Sequence, residues 1–511
     1  MDILTELSAN ASMGLAVALQ PANILYCFIG VFLGTLLGVI PGIGTLAAMT
    51  LLFPFTFQLE PTSGLIMLAG IYYGTNYGGT IAAILLNVPG TPGASVTCLD
   101  GYPMAKQGRA GVALLMTAVP SFVGASFGII LLMVFAPVIS ENALRFGPAE
   151  YFSLMVLGLV AACTISSGSA AKGLAMVVLG IAFGLVGSDI YTGTQRFTFG
   201  VPVLTDGIEL VALAMGLFGL PEVIASVRGA KDVKLTQKRV TLKSMIPTRD
   251  DIRRSLAPML RASGIGSFFG TLPGTGGLIA SFMSYSVEKR VSKDPSRFGK
   301  GAIEGVVAPE TANNAADMTA FIPTLTLGIP GSTQMAIMLG IFIIHGITPG
   351  PQILTQHPEL VWGLIMSFWL GNILLLVLNI PLIGLWVRML SIPYSLLYPG
   401  IVVFICAGVY SISNSVADVI VMVFFGALGY LMRYLNFPAA PLILGFVLGP
   451  MIEEHFRRAM LYSRGDPATF IQSPISGVIL AISAVLVIWT IVNAFRSHRQ
   501  RRALNEGINQ V

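Results

Sequence analysis

Lysine and arginine are absent before Lys106, and charged residues of both signs make up only 10% of the 511 residues. Soluble chains carry about 25%. A chain so poor in charge cannot coat a water-facing surface, which excludes an ordinary soluble globule. The missing early basic cluster also argues against a cleavable signal, whose n-region is positive. Met1–Gln20 reads instead as a short interfacial helix leading into a first span. Cysteine is equally sparse. Cys27, Cys98, Cys163 and Cys406 are scattered, mostly in apolar runs, and fit neither a metal spacing nor a disulfide framework. They read as small packing hydrophobes. There is no HExxH and no DxxxD-type acidic cluster. No Lys-Ser/Thr follows "PGTGG" or "GTPGAS", so no phosphate-binding P-loop is present. With no nucleophile–base set, metal cluster or acid pair, the chain reads as a non-enzyme without a cofactor.

What fills the sequence is apolar: 54% is hydrophobic. Runs such as Ile24–Val39, Val112–Val138, Leu360–Leu390 and Val478–Val492 approach the length that spans a bilayer. They predict an all-α polytopic membrane protein of roughly ten to twelve spans. A barrel is excluded, because its strands are short and alternate. Basic residues concentrate in a central linker (Arg228, Lys231, Lys234, Lys238, Arg239, Lys243, Arg249, Arg253, Arg254) and in the tail (Arg496, Arg499, Arg501, Arg502). Basic loops stay cytoplasmic, which predicts linker and C-terminus inside and the N-terminus periplasmic. The same rule accounts for the basic runs without nucleic acid. Arg457, Arg458 and Arg464 then fall outside, in tension with it, next to Glu453, Glu454 and Asp466. Lys172 reads as a side chain snorkelling to the interface, Arg388 as a helix end, His345 as structural, and Glu304 and Glu310 as loop residues.

Helix breakers recur in a pattern. "GVIPGIGT" at Gly38 returns as "GTLPGTGG" at Gly270, and "NVPGTPG" at Asn87 returns as "GIPGST" at Gly328. A fainter echo pairs "GLFGLPE" at Gly216 with "GFVLGPMIEE" at Gly445. Three echoes in one order predict two repeats, each with an odd number of spans and therefore of inverted topology. The organisation expected is an N-terminal interfacial segment over 1–21, repeat 1 over 22–227, a basic cytoplasmic linker over 228–261, repeat 2 over 262–456, and an extra helix with basic tail over 457–511. Gly30, Gly34 and Gly38 have the small-xxx-small spacing of a helix contact.

Inverted repeats with broken helices mark secondary transporters. Within lipid every backbone polar group needs a partner, so a re-entrant Pro-Gly loop is tolerable where it lines an enclosed cavity. The helix restarting after it offers free N–H groups and partial positive charge, which suit an anion. The candidate substrate positions are therefore Pro41, Gly42, Gly44 and Thr45; Asn87, Pro89, Gly90 and Thr91; Pro273, Gly274, Thr275 and Gly276; and Pro330, Gly331, Ser332 and Thr333. "YYGTNYGGT" and "ETANNAADMT" put polar oxygens in apolar surroundings. Thr75, Asn76, Thr80, Asn313, Asn314 and Asp317, with Thr319 nearby, are the candidate cation ligands. An ionisable side chain inside a span, such as Asp317, is a functional candidate.

The stretches "GVIPGIGT", "YYGTNYGGTIAAILLNVPGTPGA", "DGYPMAKQGRAG", "LPGTGG" and "APETANNAADMTAFIPTLTLGIPGS" resemble the large membrane subunit of the tripartite tricarboxylate transporters, over nearly the whole chain. The resemblance implies a bacterial inner-membrane secondary transporter that imports citrate or related carboxylates on a cation gradient, sodium or proton. It implies a periplasmic binding protein and a small four-helix membrane subunit as partners. It also implies that the paired Pro-Gly loops form the site, with Asn76, Asn313, Asn314 and Asp317, and that the motif-bearing region moves like an elevator. A passive anion channel, or a transporter of a non-carboxylate organic anion, remains the alternative. A channel would show a continuous polar lining, whereas the polar residues here cluster at two depths.

Overall fold

The computed structural model describes residues 3–40, 43–142, 145–165, 170–189, 191–229, 240–272, 276–390, 394–489 and 492. Helix dominates, and the architecture is that of an all-α membrane protein. Among the described residues, four helical stretches are long and apolar enough to cross a membrane: Pro21–Val39, Ala94–Val138, Pro358–Asn379 and Val416–Tyr434. The run Leu360–Leu390 does not form one helix. It divides into Pro358–Asn379 and Ile383–Met389, because Pro381 removes a backbone donor and clashes with the preceding turn.

The chain forms two compact units, Met1–Ala143 with Leu210–Gly429, and Leu144–Glu209 with Tyr430–Val511. The first contains α1 (Ile3–Ala18), α2 (Pro21–Val39), α3 (Thr45–Phe57), α4 (Pro61–Leu86), α5 (Ala94–Met104) and α6 (Ala110–Asn142). It continues with α9 (Leu210–Ala214), α10 (Leu220–Gly229), α11 (Arg249–Thr271), α12 (Gly276–Val291), α13 (Glu304–Thr319), α14 (Phe321–Leu327) and α15 (Thr333–Ile344). It closes with α16 (Ile353–Gln356), α17 (Pro358–Asn379), α18 (Ile383–Met389), α19 (Tyr394–Ser413) and α20 (Val416–Tyr434), whose last residues fall to the other unit.

The second unit contains α7 (Pro148–Ile165), α8 (Ala170–Gly184), α21 (Ala439–Tyr462), α22 (Thr469–Gln472) and α23 (Pro474–Trp489). Strands Gly187–Ser188 and Gln195–Arg196 pair antiparallel, Gly187 opposite Arg196. Asp189 fastens this hairpin. It accepts from the Tyr191 amide at 2.9 Å and the Thr192 hydroxyl at 3.0 Å, and pairs with Arg196 and with Arg457 of α21. The Tyr191 amide, then Thr192 and the two guanidinium groups, outweigh desolvation and hold its carboxyl well below the usual carboxylate range. Lys172 donates to the Leu435 carbonyl at 2.6 Å, capping the chain that leaves α20.

Glycine sets the packing in the first unit. Along α2, Gly30, Gly34 and Gly38 lie against the backbone carbonyls of Met67, Ile71 and Thr75 on α4, with no room for a Cβ. Lipid supplies no hydrophobic drive between helices, so close backbone approach does this work. α11 meets α13 in the same way: Gly266 lies on the Ala312 carbonyl and Gly270 on that of Ala316. The intervals are constant. Gly38 and Gly270 differ by 232 (270 − 38), and Thr75 and Ala316 by 241 (316 − 75).

The helix ends repeat too. The Ile40 amide donates to Leu37 at 3.1 Å, and that of Leu272 to Phe269 at 3.1 Å. α4 ends on Asn87 in the left-handed region (φ 58°) and α14 on Gly328 (φ 69°), as helix C-termini favour. Thr91 accepts from the Ala94 amide at 3.4 Å, and Ser332 from that of Met335 at 3.3 Å. In the region of the third echo, Gly216 packs on the Met422 carbonyl in the first unit, and Gly445 on that of Val177 in the second.

Candidate functional site

α4 is apolar along most of its length, but Tyr72, Asn76 and Thr80 recur every fourth residue and so share one face. α13 places Glu310, Asn313, Asn314 and Asp317 at intervals of three and four, again on one face. All seven are buried. The two faces meet. The Asn76 side-chain amide donates to Asp317 Oδ2 at 2.5 Å, and the Tyr72 hydroxyl donates to Asp317 Oδ1 at 2.6 Å. The Thr45 hydroxyl, at the start of α3, donates to Asn76 Oδ1 at 3.0 Å. No Lys or Arg among the described residues pairs with Asp317. A buried carboxylate whose donors are all neutral keeps its charge uncompensated.

Described residues beside each of the four sequence breaks lie at or next to this group. Thr45 brings the first. After the second, Gly90 donates its amide to the Gly79 carbonyl at 3.3 Å, and Gly93 lies against the Asn313 side-chain amide. After the third, Gly277 lies on the other approach to Asn313, and a Cβ there would stand 3.3 Å from Asp317 Oδ1. At the fourth, the Ser332 hydroxyl interacts with that of Tyr72 and caps α15. Thr45 at the start of α3 meets Asn76, Gly277 at the start of α12 approaches Asp317, and Gly93 before α5 meets Asn313; helix starts offer N–H groups and partial positive charge.

The other sequence candidates take different places. Thr75 bonds back to the Ile71 carbonyl at 2.6 Å, and its backbone meets Gly38, so it belongs to the helix contact. Thr319 donates to the Ser267 carbonyl at 3.1 Å, tying α13 to α11. Thr80 and Asn314 belong to a second polar group around Glu310. Asn87 and Pro89 end α4, Gly331 donates its amide to Thr324 at 3.3 Å beyond Pro330, and Thr333 opens α15. Gly44 and Gly276 precede α3 and open α12 respectively. Pro41, Gly42, Pro273, Gly274 and Thr275 lie outside the described residues, as do much of the basic linker and the basic tail.

Glu304 and Glu310 are not loop residues. Both lie in α13, where Glu304 pairs with Arg254 and Arg297 in the first turn and Glu310 is buried. Pro309 and the Asn- and Thr-rich composition suggest a loop, but packing against α6, α11 and α12 overrides that preference. The missed signal was the spacing, since Glu310 stands three residues before Asn313 and seven before Asp317. Tyr72, Thr97 and Ser121 were also missed. A lone hydroxyl in an apolar run announces nothing until its partner is known.

The pattern of the family described as "Tripartite tricarboxylate transporter TctA family" matches residues 24–444. An "Uncharacterized 52.8 kDa protein in TAR-I ttuC' 3'region" of Agrobacterium vitis is 48% identical over 503 residues, covering 98% of this chain and 100% of the relative. An "Uncharacterized protein in TAR-II ttuC' 3'region" of the same organism is 54% identical over 236 residues, covering 46% of this chain and 98% of the relative. With its family pattern matched over residues 24–444, the chain belongs to the tripartite tricarboxylate transporter TctA family.

Proposed function

We propose that the chain is the large membrane subunit of a binding-protein-dependent importer, driven by a cation gradient and carrying tricarboxylates or related carboxylates. The observation that carries this reading is Asp317, a buried carboxylate whose hydrogen-bond donors among the described residues, Tyr72 and Asn76, are neutral. A cation, sodium or a proton, neutralises it. The helix starts around it hold the carboxylate substrate through N–H groups and hydroxyls, which permits release. The family is one of transporters, which supports reading the chain as a transporter rather than an enzyme.

The recurring contacts support two repeats of inverted topology. Equivalent residues 232 or 241 apart make equivalent contacts, and Asn76 touches its own equivalent, Asp317 (317 − 76 = 241). Contact between equivalent positions is what a two-fold relation between repeats produces near its axis. Gly216 on Met422 and Gly445 on Val177 are exchanged in the same sense. The working complex includes a periplasmic binding protein and a small four-helix membrane subunit, in a bacterial inner membrane, with the N-terminus periplasmic and the C-terminus cytoplasmic. Movement of the motif-bearing region exposes the site to each side in turn.

The experiment is uptake of labelled citrate into proteoliposomes holding this chain and its small subunit, with the binding protein outside and the sodium gradient imposed or collapsed. Accumulation that needs both the gradient and the binding protein supports the reading. Saturation-free current without accumulation would establish a channel instead.

A further inference from the structure

Two turns before Asp317 on the same face of α13, Glu310 sits in a cage of its own and is 3% exposed. The Thr97 hydroxyl of α5 donates to Oε1 at 2.5 Å. The Thr80 hydroxyl of α4 reaches both carboxylate oxygens, at 3.1 and 3.2 Å, and the Ser121 hydroxyl of α6 reaches Oε2 at 3.4 Å. The Asn314 amide donates to Ser121 Oγ at 2.8 Å and fixes its orientation. Four helices thus bring one carboxylate and three hydroxyls to a single point. No Lys or Arg among the described residues reaches it. Arg261, on the neighbouring α11, pairs with Glu288 of α12 instead. The carboxylate of Asp317 stands about 10 Å further along the helix axis. Two uncompensated carboxylates so placed are costly inside a membrane, and hydroxyl donors lessen that cost without removing the charge.

We propose that the Glu310 cage is a second binding site for a hard monovalent cation such as sodium, separate from the Asp317 centre. Hard cations take oxygen ligands. The carboxylate supplies the charge, and the hydroxyls of Thr80, Thr97 and Ser121 supply lone pairs once their protons turn away from it. Thr80 links the two centres. Its hydroxyl also contacts the Asn76 carbonyl at 3.2 Å, and the side chain of Asn76 holds Asp317. Filling one site thereby biases the geometry of the other. With one cation for each buried carboxylate, the carrier takes up at least two cations per cycle, an inference that rests on the cation-coupled reading above.

The test is equilibrium binding of radiolabelled sodium to the full chain in lipid nanodiscs, without substrate. The wild type is expected to bind two ions per chain, Glu310→Gln one, Asp317→Asn one, and the double variant none. Thr97→Val and Ser121→Ala keep the carboxylate and guard against misfolding of Glu310→Gln. Each is expected to weaken one of the two affinities about tenfold and leave the other unchanged. A Glu310→Gln chain that binds the wild-type number of ions, or hydroxyl variants with both affinities intact, overturns the proposal. Loss of an ion in Asp317→Asn but not in Glu310→Gln overturns the second site and leaves the coupling reading standing. Loss in Glu310→Gln alone keeps the Glu310 site, overturns the count of two sodium ions and leaves a proton as the cation at Asp317. A wild type that binds no sodium overturns the Glu310 site and restricts the coupling reading to a proton.

Discussion

Asn76 and Asp317 lie 241 residues apart and are joined by one hydrogen bond of 2.5 Å, from the Asn76 side-chain amide to the Asp317 carboxylate. Across the same interval, one half of the chain carries an amide and the other an acid. That difference leaves one carboxylate where the two side chains meet.

Asp317→Asn is expected to abolish sodium-driven uptake while leaving membrane insertion intact. Asn76→Ala leaves the carboxylate but removes one of its donors, and is expected to destabilise the unit by about 1–3 kcal/mol. Uptake as a function of sodium, alongside thermal unfolding in detergent, separates these effects. Unchanged sodium dependence in Asp317→Asn would make the residue structural.

Asn313 is confined between Gly93 and Gly277, neither of which has room for a Cβ beside its side-chain oxygen. Gly277→Ala is expected to push the Asn313 amide off its position and lower uptake several-fold, with normal expression and folding. Gly264→Ala, on α11 with open space at its Cβ, is the control and is expected to transport normally. Equal uptake by both variants would remove the Asn313 position from the site.

Gly38 and Gly270 hold equivalent helix contacts. Alanine at either position is expected to force the helices apart at a cost of about 1–3 kcal/mol, read as a lower unfolding temperature. The two variants should lose similar amounts. A neutral Gly270→Ala would show that α11 and α13 can separate freely.

Much of this was legible in the sequence. The Pro-Gly breaks, the glycine stripe of α2 and the polar residues inside apolar runs are local features, read from spacing alone. The grouping of those polar residues was not legible. The sequence offers Thr75, Asn76, Thr80, Asn313, Asn314 and Asp317 as candidate cation ligands without showing which of them meet; in the structure Thr75 packs between helices, and Thr80 and Asn314 face Glu310. Which residue meets which depends on the rotation of α13 against α4, and tertiary packing sets that rotation. The second unit was equally hidden, since it joins residues 144–209 to residues 430–511, drawn from opposite halves of the sequence.

Asp189 gives a pH dependence in the second unit. Its folded carboxyl lies below the usual range, with the Tyr191 amide as the first cause. Its contribution is therefore present above the ordinary aspartate value, about 3.9, and is lost as pH falls through the lower folded value. Asp189→Asn is expected to raise hydrogen exchange across residues 187–205 at neutral pH, with the difference from wild type shrinking in strong acid. A difference that does not change with pH would assign the effect to packing.

The central claim is that cation and carboxylate move together through the Asp317 centre. The most direct measurement is simultaneous flux of labelled sodium and labelled citrate into the same proteoliposomes, with wild type and Asp317→Asn compared. The account predicts a fixed ratio of the two fluxes in wild type and the loss of both in the variant. Citrate accumulation in wild type without sodium or a proton gradient, or an Asp317→Asn chain that keeps the wild-type ratio, would contradict it.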